Sequence, residues 1–175
     1  MRTFDSIVRV DCAFSSLCLH NRFYRPIAKV ARWVSRSGDG HLYACLGVMA
    51  WLFGAEQGQW FLYAGLLAFA LELPIYWLTK NTIKRRRPEQ LSAQFVSYIT
   101  PSDRYSLPSG HTAAAFIMAA LIEHFYPTFG SAALGWACLV GVSRIVLGVH
   151  FLTDVVVGAA LGLGCAAIAI QLLAL

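Results

Sequence analysis

Three short stretches of the chain hold residue types that could do chemistry together. The first is SRIVLGVHFLTD, Ser143 to Asp154, in which His150 and Asp154 stand four residues apart. On one helical turn that spacing lets the carboxylate reach the imidazole. A carboxylate on one ring nitrogen fixes the tautomer and leaves the other nitrogen free as a base or nucleophile. Arg144 ends an apolar window, where an unpaired guanidinium is costly to bury and requires an anion. A structural Arg–Asp pair beside a core histidine is the simpler reading of this stretch alone.

The second stretch is PSGH, Pro108 to His111, placed immediately before an apolar run. The first turn of a helix has unpaired N–H groups and a partial positive charge, and both favour an anion. Gly110 lets a phosphate approach the backbone, Ser109 adds a hydroxyl donor, and His111 can protonate a leaving group. The third stretch is KNTIKRRRP, in which Lys80 and Arg87 are seven residues apart. A continuing helix would set both on one side, and Pro88 is expected to stop it. Alone, these two stretches also read as a plain helix cap and as basic residues marking the end of a span.

Together they offer three cations, two histidines, a carboxylate, a serine and a glycine-flanked helix start. No metal-ligand set accompanies them, and no cofactor is implied. That collection suits metal-free phosphoryl transfer: donors on the equatorial oxygens, a nucleophile in line, and an acid for the departing oxygen.

Something must carry these stretches to one place. The chain has 175 residues, 58% hydrophobic and 13% charged, more apolar than a soluble domain of this size needs. A span takes about 20 apolar residues to cross about 30 Å of hydrocarbon. Five windows approach that: 42–55, 60–78, 112–126, 132–149 and 155–175. The sequence therefore predicts an all-α integral membrane bundle of five transmembrane helices, with six as the alternative. It forms one domain over 1–175, an amphipathic interfacial segment (1–40) followed by the transmembrane catalytic bundle (41–175). EQGQ and PTFGS are expected to close two helical hairpins.

This topology collects the three stretches at one membrane face, with all 14 Lys and Arg residues on or near it. Arg22, Arg25, Lys29, Arg32 and Arg36 recur at helical spacing opposite Phe23, Tyr24, Ile27, Ala31 and Val34. That pattern suits a helix in the interface, its basic side on anionic lipids. Nucleic acid is not an expected partner, because no soluble module carries the basic residues. Asp5, Arg9 and Asp11 break the apolar core a signal peptide would need. The five cysteines show no ligand spacing and read as small buried hydrophobes. Glu72 falls inside the second window, where a carboxylate is a functional candidate. Gly158 and Gly162 permit close helix packing, within the chain or in a homodimer.

At these residues the sequence resembles the type 2 phosphatidic acid phosphatase family. The family signature, K-x6-RP, PSGH and SR-x5-H-x3-D, stands here as Lys80…Arg87-Pro88, Pro108-Ser109-Gly110-His111 and Ser143-Arg144…His150…Asp154, without a substitution. The resemblance implies a metal-independent helical bundle. It implies His150 as the nucleophile that forms a phosphohistidine, Asp154 as its orienting carboxylate, and His111 as the acid and then the base. Lys80, Arg87, Ser109, Gly110 and Arg144 would hold the phosphoryl oxygens. The expected function is a multi-pass lipid phosphatase of the inner (plasma) membrane. Undecaprenyl diphosphate is the first expected substrate, followed by phosphatidic acid and phosphatidylglycerophosphate. A non-catalytic phospholipid-binding or transporting protein, or an enzyme like the vanadate-dependent haloperoxidases, are the rival readings. The basic segment at 22–36 favours a cytoplasmic site, and most family members of this substrate class work on the outer face.

Overall fold

The computed structural model describes residues 2–19, 22–91 and 95–174. Leu175, the end of the fifth predicted window, lies outside them. The chain runs α1 (Arg2–Leu19), α2 (Tyr24–Ser37), α3 (Gly40–Phe53), α4 (Ala55–Ile83), α5 (Pro88–Leu91) and α6 (Gly110–Phe125). A short 3-10 turn (Pro127–Phe129) leads to α7 (Gly130–Val146) and α8 (Leu152–Leu172). Among the described residues there is no strand, as the sequence leads one to expect.

Apolar composition and packing agree on where lipid lies. Large side chains such as Leu52, Leu66, Trp77, Leu139, Val156 and Leu172 are exposed on the bundle's outside. The inside is built of small residues: Ala64, Ala68, Ala113, Ala115, Ala137, Ala166 and Ala169 are buried. This inversion fits a bilayer, where close backbone approach and van der Waals contact hold helices together. The central helix is α6, packed against α4, α7 and α8. Gly158 and Gly162 of α8 lie against it: a Cβ on Gly158 would come 2.6 Å from the Ser109 carbonyl oxygen, and one on Gly162 2.2 Å from that of Ala113. The glycine pair is therefore consumed inside the chain.

Three of the five windows fall in helical stretches long and apolar enough to cross a membrane: Ala55–Leu91, Pro127–Val146 and Leu152–Leu172. The helices of the other two windows, α3 and α6, are shorter, with 14 and 16 residues. The first hairpin closes earlier than expected. EQGQ lies within α4, and the turn is at Gly54. Gly58 makes this closure feasible, since a Cβ there would strike the Ala50 carbonyl.

Two expectations about local geometry are corrected. Lys80 and Arg87 do not share a helix, because α4 ends at Ile83 with Lys84 left-handed (φ 50°). Residues 84–87 run irregularly and alternate outward and inward: Lys84 and Arg86 are exposed, Arg85 is half-buried and Arg87 is buried. Nor do His150 and Asp154 share a helical turn. Helix α7 stops at Val146, Gly148 turns the chain at φ 73°, and α8 starts only at Leu152. His150 thus sits in the connection, and Asp154 in the first turn that follows.

The amino-terminal segment packs on the bundle as well as presenting charge. Arg25, Lys29, Arg32 and Arg36 of α2 are exposed, while Ala28, Ala31 and Ser35 are buried on the side that meets α7.

Candidate active site

The site forms where the starts of α6 and α8 meet the ends of α4 and α7. Asp154 is its anchor, fully buried. One carboxylate oxygen accepts from the Phe151 backbone N–H at 2.8 Å, capping α8. The same oxygen lies 3.6 Å from His150 Nδ1, a nitrogen that has no hydrogen-bond partner. That is about half an ångström beyond bonding range, and such contacts tighten when substrate binds. The other oxygen accepts from Arg85 Nη1 at 2.6 Å. His150 is 3% exposed. Burial pushes its imidazole down to about 4, against the pull of Asp154 and with help from Arg144. It is therefore neutral, as a nucleophile must be.

Arg85 is outside the sequence signature and was not expected in the site. It bridges Asp154 to Asp11 of α1, donating from Nη2 to Asp11 at 2.5 Å and from Nη1 to the Thr153 hydroxyl at 2.6 Å. Asp11 also accepts from the Thr153 backbone N–H at 3.0 Å. Its guanidinium lies over the Phe151 ring at 4.6 Å.

Among the site's cations, Arg144 is the one that lines the cavity. Its Nη1 donates to Ser35 of α2 at 2.5 Å, while its buried Nε has no partner. A buried guanidinium N–H left empty at a cavity wall is a donor waiting for an acceptor. Its carbonyl accepts from the Val149 and His150 backbone N–H groups, which ties nucleophile and cation together.

Lys80 and Arg87 are placed differently from expectation. Both point at Asp103, in the connection before α6: Lys80 Nζ at 2.7 Å and Arg87 Nη2 at 2.6 Å. Tyr76 donates to the same carboxylate at 2.9 Å. Burial pushes the Asp103 carboxyl up, but Lys80, Tyr76 and Arg87 outweigh it and hold it below the ordinary range. Arg87 is further committed to the carbonyls of Asp103, Tyr105 and Val149. It clamps the 103–105 and 149 connections to each other and keeps little donor capacity for a ligand. Asp103, not Lys80 or Arg87, lines the cavity.

Ser109 is fully buried, its hydroxyl 2.8 Å from that of Thr112, and its backbone N–H donates to the Asp154 carbonyl. Gly110 opens α6 beside the Tyr76 ring, which a Cβ would approach to 3.0 Å. His111 Nε2 lies 2.9 Å from Asp39 Oδ1, the residue before α3. A carboxylate there fixes the ring's rotation and tautomer.

A cavity of about 470 Å³ joins these groups, with Asp103, Gly110, His111, Arg144 and His150 at one end. The other end is walled by Gly47, Phe61, Leu66, Phe69 and Met118, between α3, α4 and α6. Head-group chemistry and an apolar channel thus share one space. Sequence reading missed Asp11, Ser35, Asp39, Tyr76, Arg85 and Asp103. Only Tyr76 had a local signal, four residues from Lys80 on α4.

Comparison with known proteins places the chain in one family. The chain belongs to the PAP2 superfamily, whose family profile matches residues 59–174. It is similar to the probable lipid phosphate phosphatase beta of Arabidopsis thaliana, 29% identical over 142 residues, covering 65% of this chain and 66% of that protein. It is similar to the lipid A 1-phosphatase of Rhizobium etli, 28% identical, covering 65% of this chain and 47% of that protein. The phosphatidylglycerophosphatase B of Bacillus subtilis is 34% identical, covering 56% of this chain and 51% of that protein. The chain spans about half to two thirds of the length of these relatives. In structure it resembles LpxE of Aquifex aeolicus, with a TM-score of 0.81, 27% identity and coverage of 92% of this chain and 94% of that one. The phosphatidylglycerolphosphate phosphatase of Bacillus subtilis shares the fold, with a TM-score of 0.76 at 24% identity. The chain is an integral membrane protein of that fold.

Proposed function

We propose that the protein is a membrane lipid phosphatase that hydrolyses a phosphomonoester or diphosphate through a phosphohistidine on His150, without a metal ion. The observation that carries this reading is the shared cavity. His111, Arg144 and His150 open on one end of it, and membrane-depth apolar residues line the other.

The residues divide the work as follows. A phosphate entering the head end meets the unpaired Arg144 N–H and the first turn of α6, whose free backbone N–H groups favour an anion. To reach Lys80 it must take the place of the Asp103 carboxylate. His150 Nε2 attacks phosphorus in line while Nδ1–H turns to Asp154, whose carboxylate offsets the positive charge that develops on the imidazole ring. His111 gives its proton to the departing oxygen, and the lipid alcohol or lipid phosphate leaves. His111, now neutral, takes a proton from water as that water attacks the phosphohistidine. Phosphate leaves and His150 returns to its starting state.

Undecaprenyl diphosphate, phosphatidic acid and phosphatidylglycerophosphate all present this chemistry to the site. The helices and the transmembrane relative support a membrane location, and the inner (plasma) membrane is the one proposed. The test is phosphate release from such lipids by the detergent-purified protein in EDTA. His150→Ala is expected to abolish turnover and Ser109→Ala to slow it. Substantial turnover by His150→Ala, or loss of activity on chelation, would overturn the reading.

A further inference from the structure

Two polar side chains deep in the cavity have nothing to bond to. Glu72 of α4 is 3% exposed and lines the cavity. Among the described residues it makes no hydrogen bond or ion pair. The hydroxyl of Tyr43 in α3 is also buried without a partner, in the wall of the same cavity. The Tyr43 ring stacks on Phe69 at 6.1 Å, and Phe69 is one helical turn from Glu72. The two groups therefore line the same cavity from neighbouring helices.

Glu72 stands apart from the signature residue of its own helix. Glu72 precedes Lys80 by eight residues on α4, about 12 Å along the helix axis. Tyr76 stands between them and is already engaged by Lys80 and Asp103. Around Glu72 and Tyr43 the wall is Phe61, Phe69 and Met118. A carboxyl group and a phenol in hydrocarbon, both unbonded, are costly to keep unless a ligand completes them.

We propose that Glu72 and Tyr43 form a polar subsite for a hydrogen-bonding group, an amide or a hydroxyl, at the root of the substrate's acyl chains. This rests on the lipid phosphatase reading and narrows its substrate. A carboxyl oxygen accepts from N–H or O–H, and the phenol donates to a carbonyl or hydroxyl oxygen. An amide offers a partner to each. A polyprenyl chain offers only hydrocarbon at this depth and leaves both unpaired, and a site built to bond a polar group discriminates against its absence. The preferred substrate is then an acylated lipid phosphate with an amide or hydroxyl. That reverses the order expected from the sequence, in which undecaprenyl diphosphate came first.

The test compares kcat/KM of the full chain in detergent on ceramide 1-phosphate, a polyprenyl diphosphate and a short water-soluble phosphate ester. The wild type is expected to prefer ceramide 1-phosphate over the polyprenyl substrate by about tenfold or more. Glu72→Leu and Tyr43→Phe should each lower that preference about five- to tenfold, the scale of one hydrogen bond. Glu72→Gln keeps an acceptor oxygen and should retain most of it. Because the carboxyl has no partner to lose, Glu72→Leu should leave the melting temperature unchanged or raised. A Glu72→Leu protein with lower melting temperature and equal losses on all three substrates would overturn the subsite, as would equal use of both lipids by the wild type. Failure of the wild type on all three esters would instead overturn the phosphatase reading, and the subsite with it.

Discussion

Asp39 Oδ1 and His111 Nε2 lie 2.9 Å apart and join the residue before α3 to the first turn of α6. The proposed acid of the reaction is thereby held by a residue far outside the three signature stretches. Carboxylates that orient a working histidine typically matter by 10–100-fold. Asp39→Asn should lower kcat by about that factor, with KM nearly unchanged, because it alters the acid and leaves the phosphate donors in place. Steady-state kinetics on any accepted lipid phosphate decides the point, and an unchanged kcat counts against it.

Asp103 competes for the cations that a phosphate needs. Its carboxylate sits on Lys80 at 2.7 Å and on Arg87 at 2.6 Å. Asp103→Asn removes that negative charge and leaves Lys80 free to meet an anion. Product inhibition by inorganic phosphate should tighten severalfold, and its dependence on ionic strength should grow. Weaker phosphate inhibition would mean instead that Asp103 builds the site by holding the cations in place.

Arg85 transmits the position of α1 to Asp154, with bonds of 2.5 Å to Asp11 and 2.6 Å to Asp154. Its two carboxylates need a planar fork, which a lysine lacks. Arg85→Lys should lower kcat about tenfold or more and should destabilise the protein, since it leaves a buried carboxylate short of partners. Asp11→Asn should weaken the same chain of contacts. The double variant should lose less than the sum of the single losses, a departure from additivity that a double-mutant cycle reads directly.

The pH dependence of stability carries a signature of His150. Burial lowers this histidine from 6.5 to about 4, so the folded chain stays neutral where the unfolded chain takes up a proton. The unfolded state then binds more protons between those two values. Stability should fall as pH drops through that window and be full above it. Asp103, held below the ordinary carboxylate range, adds stability above that range and loses it only as pH falls further. Thermal melts of the purified protein from pH 7 to about pH 4 should therefore decline, and His150→Leu should flatten part of the decline. A wild-type profile with no slope there would contradict a neutral, buried His150.

The candidate residues were legible in the sequence because residue type and short spacing mark them, and His111, Arg144 and His150 do meet at one cavity. His111 at a helix start and His150 near Asp154 can be recognised without a fold. The positioning was not legible. Ser35 reaches Arg144 across 109 positions, Asp11 reaches Thr153 across 142, and Asp39 reaches His111 across 72. No local pattern specifies such pairs; helix packing does. The run Lys84–Arg87 read as uniform charge, whereas a left-handed Lys84 splits it into two outward and two inward residues. The one local error with a readable cause is the break before His150. Gly148 stands just past the apolar run, where glycine commonly ends a helix.

The burial of Asp11 also orders the molecule's assembly. This carboxylate is fully enclosed and, among the described residues, is satisfied by Arg85 and Thr153. A bare carboxylate does not settle into a low-dielectric contact before its counterpart exists. During synthesis α1 emerges early yet must wait outside its final berth until the ribosome has delivered residue 153. Helix α1 thus docks only after α8 has begun to form, and the catalytic centre is completed in the same event.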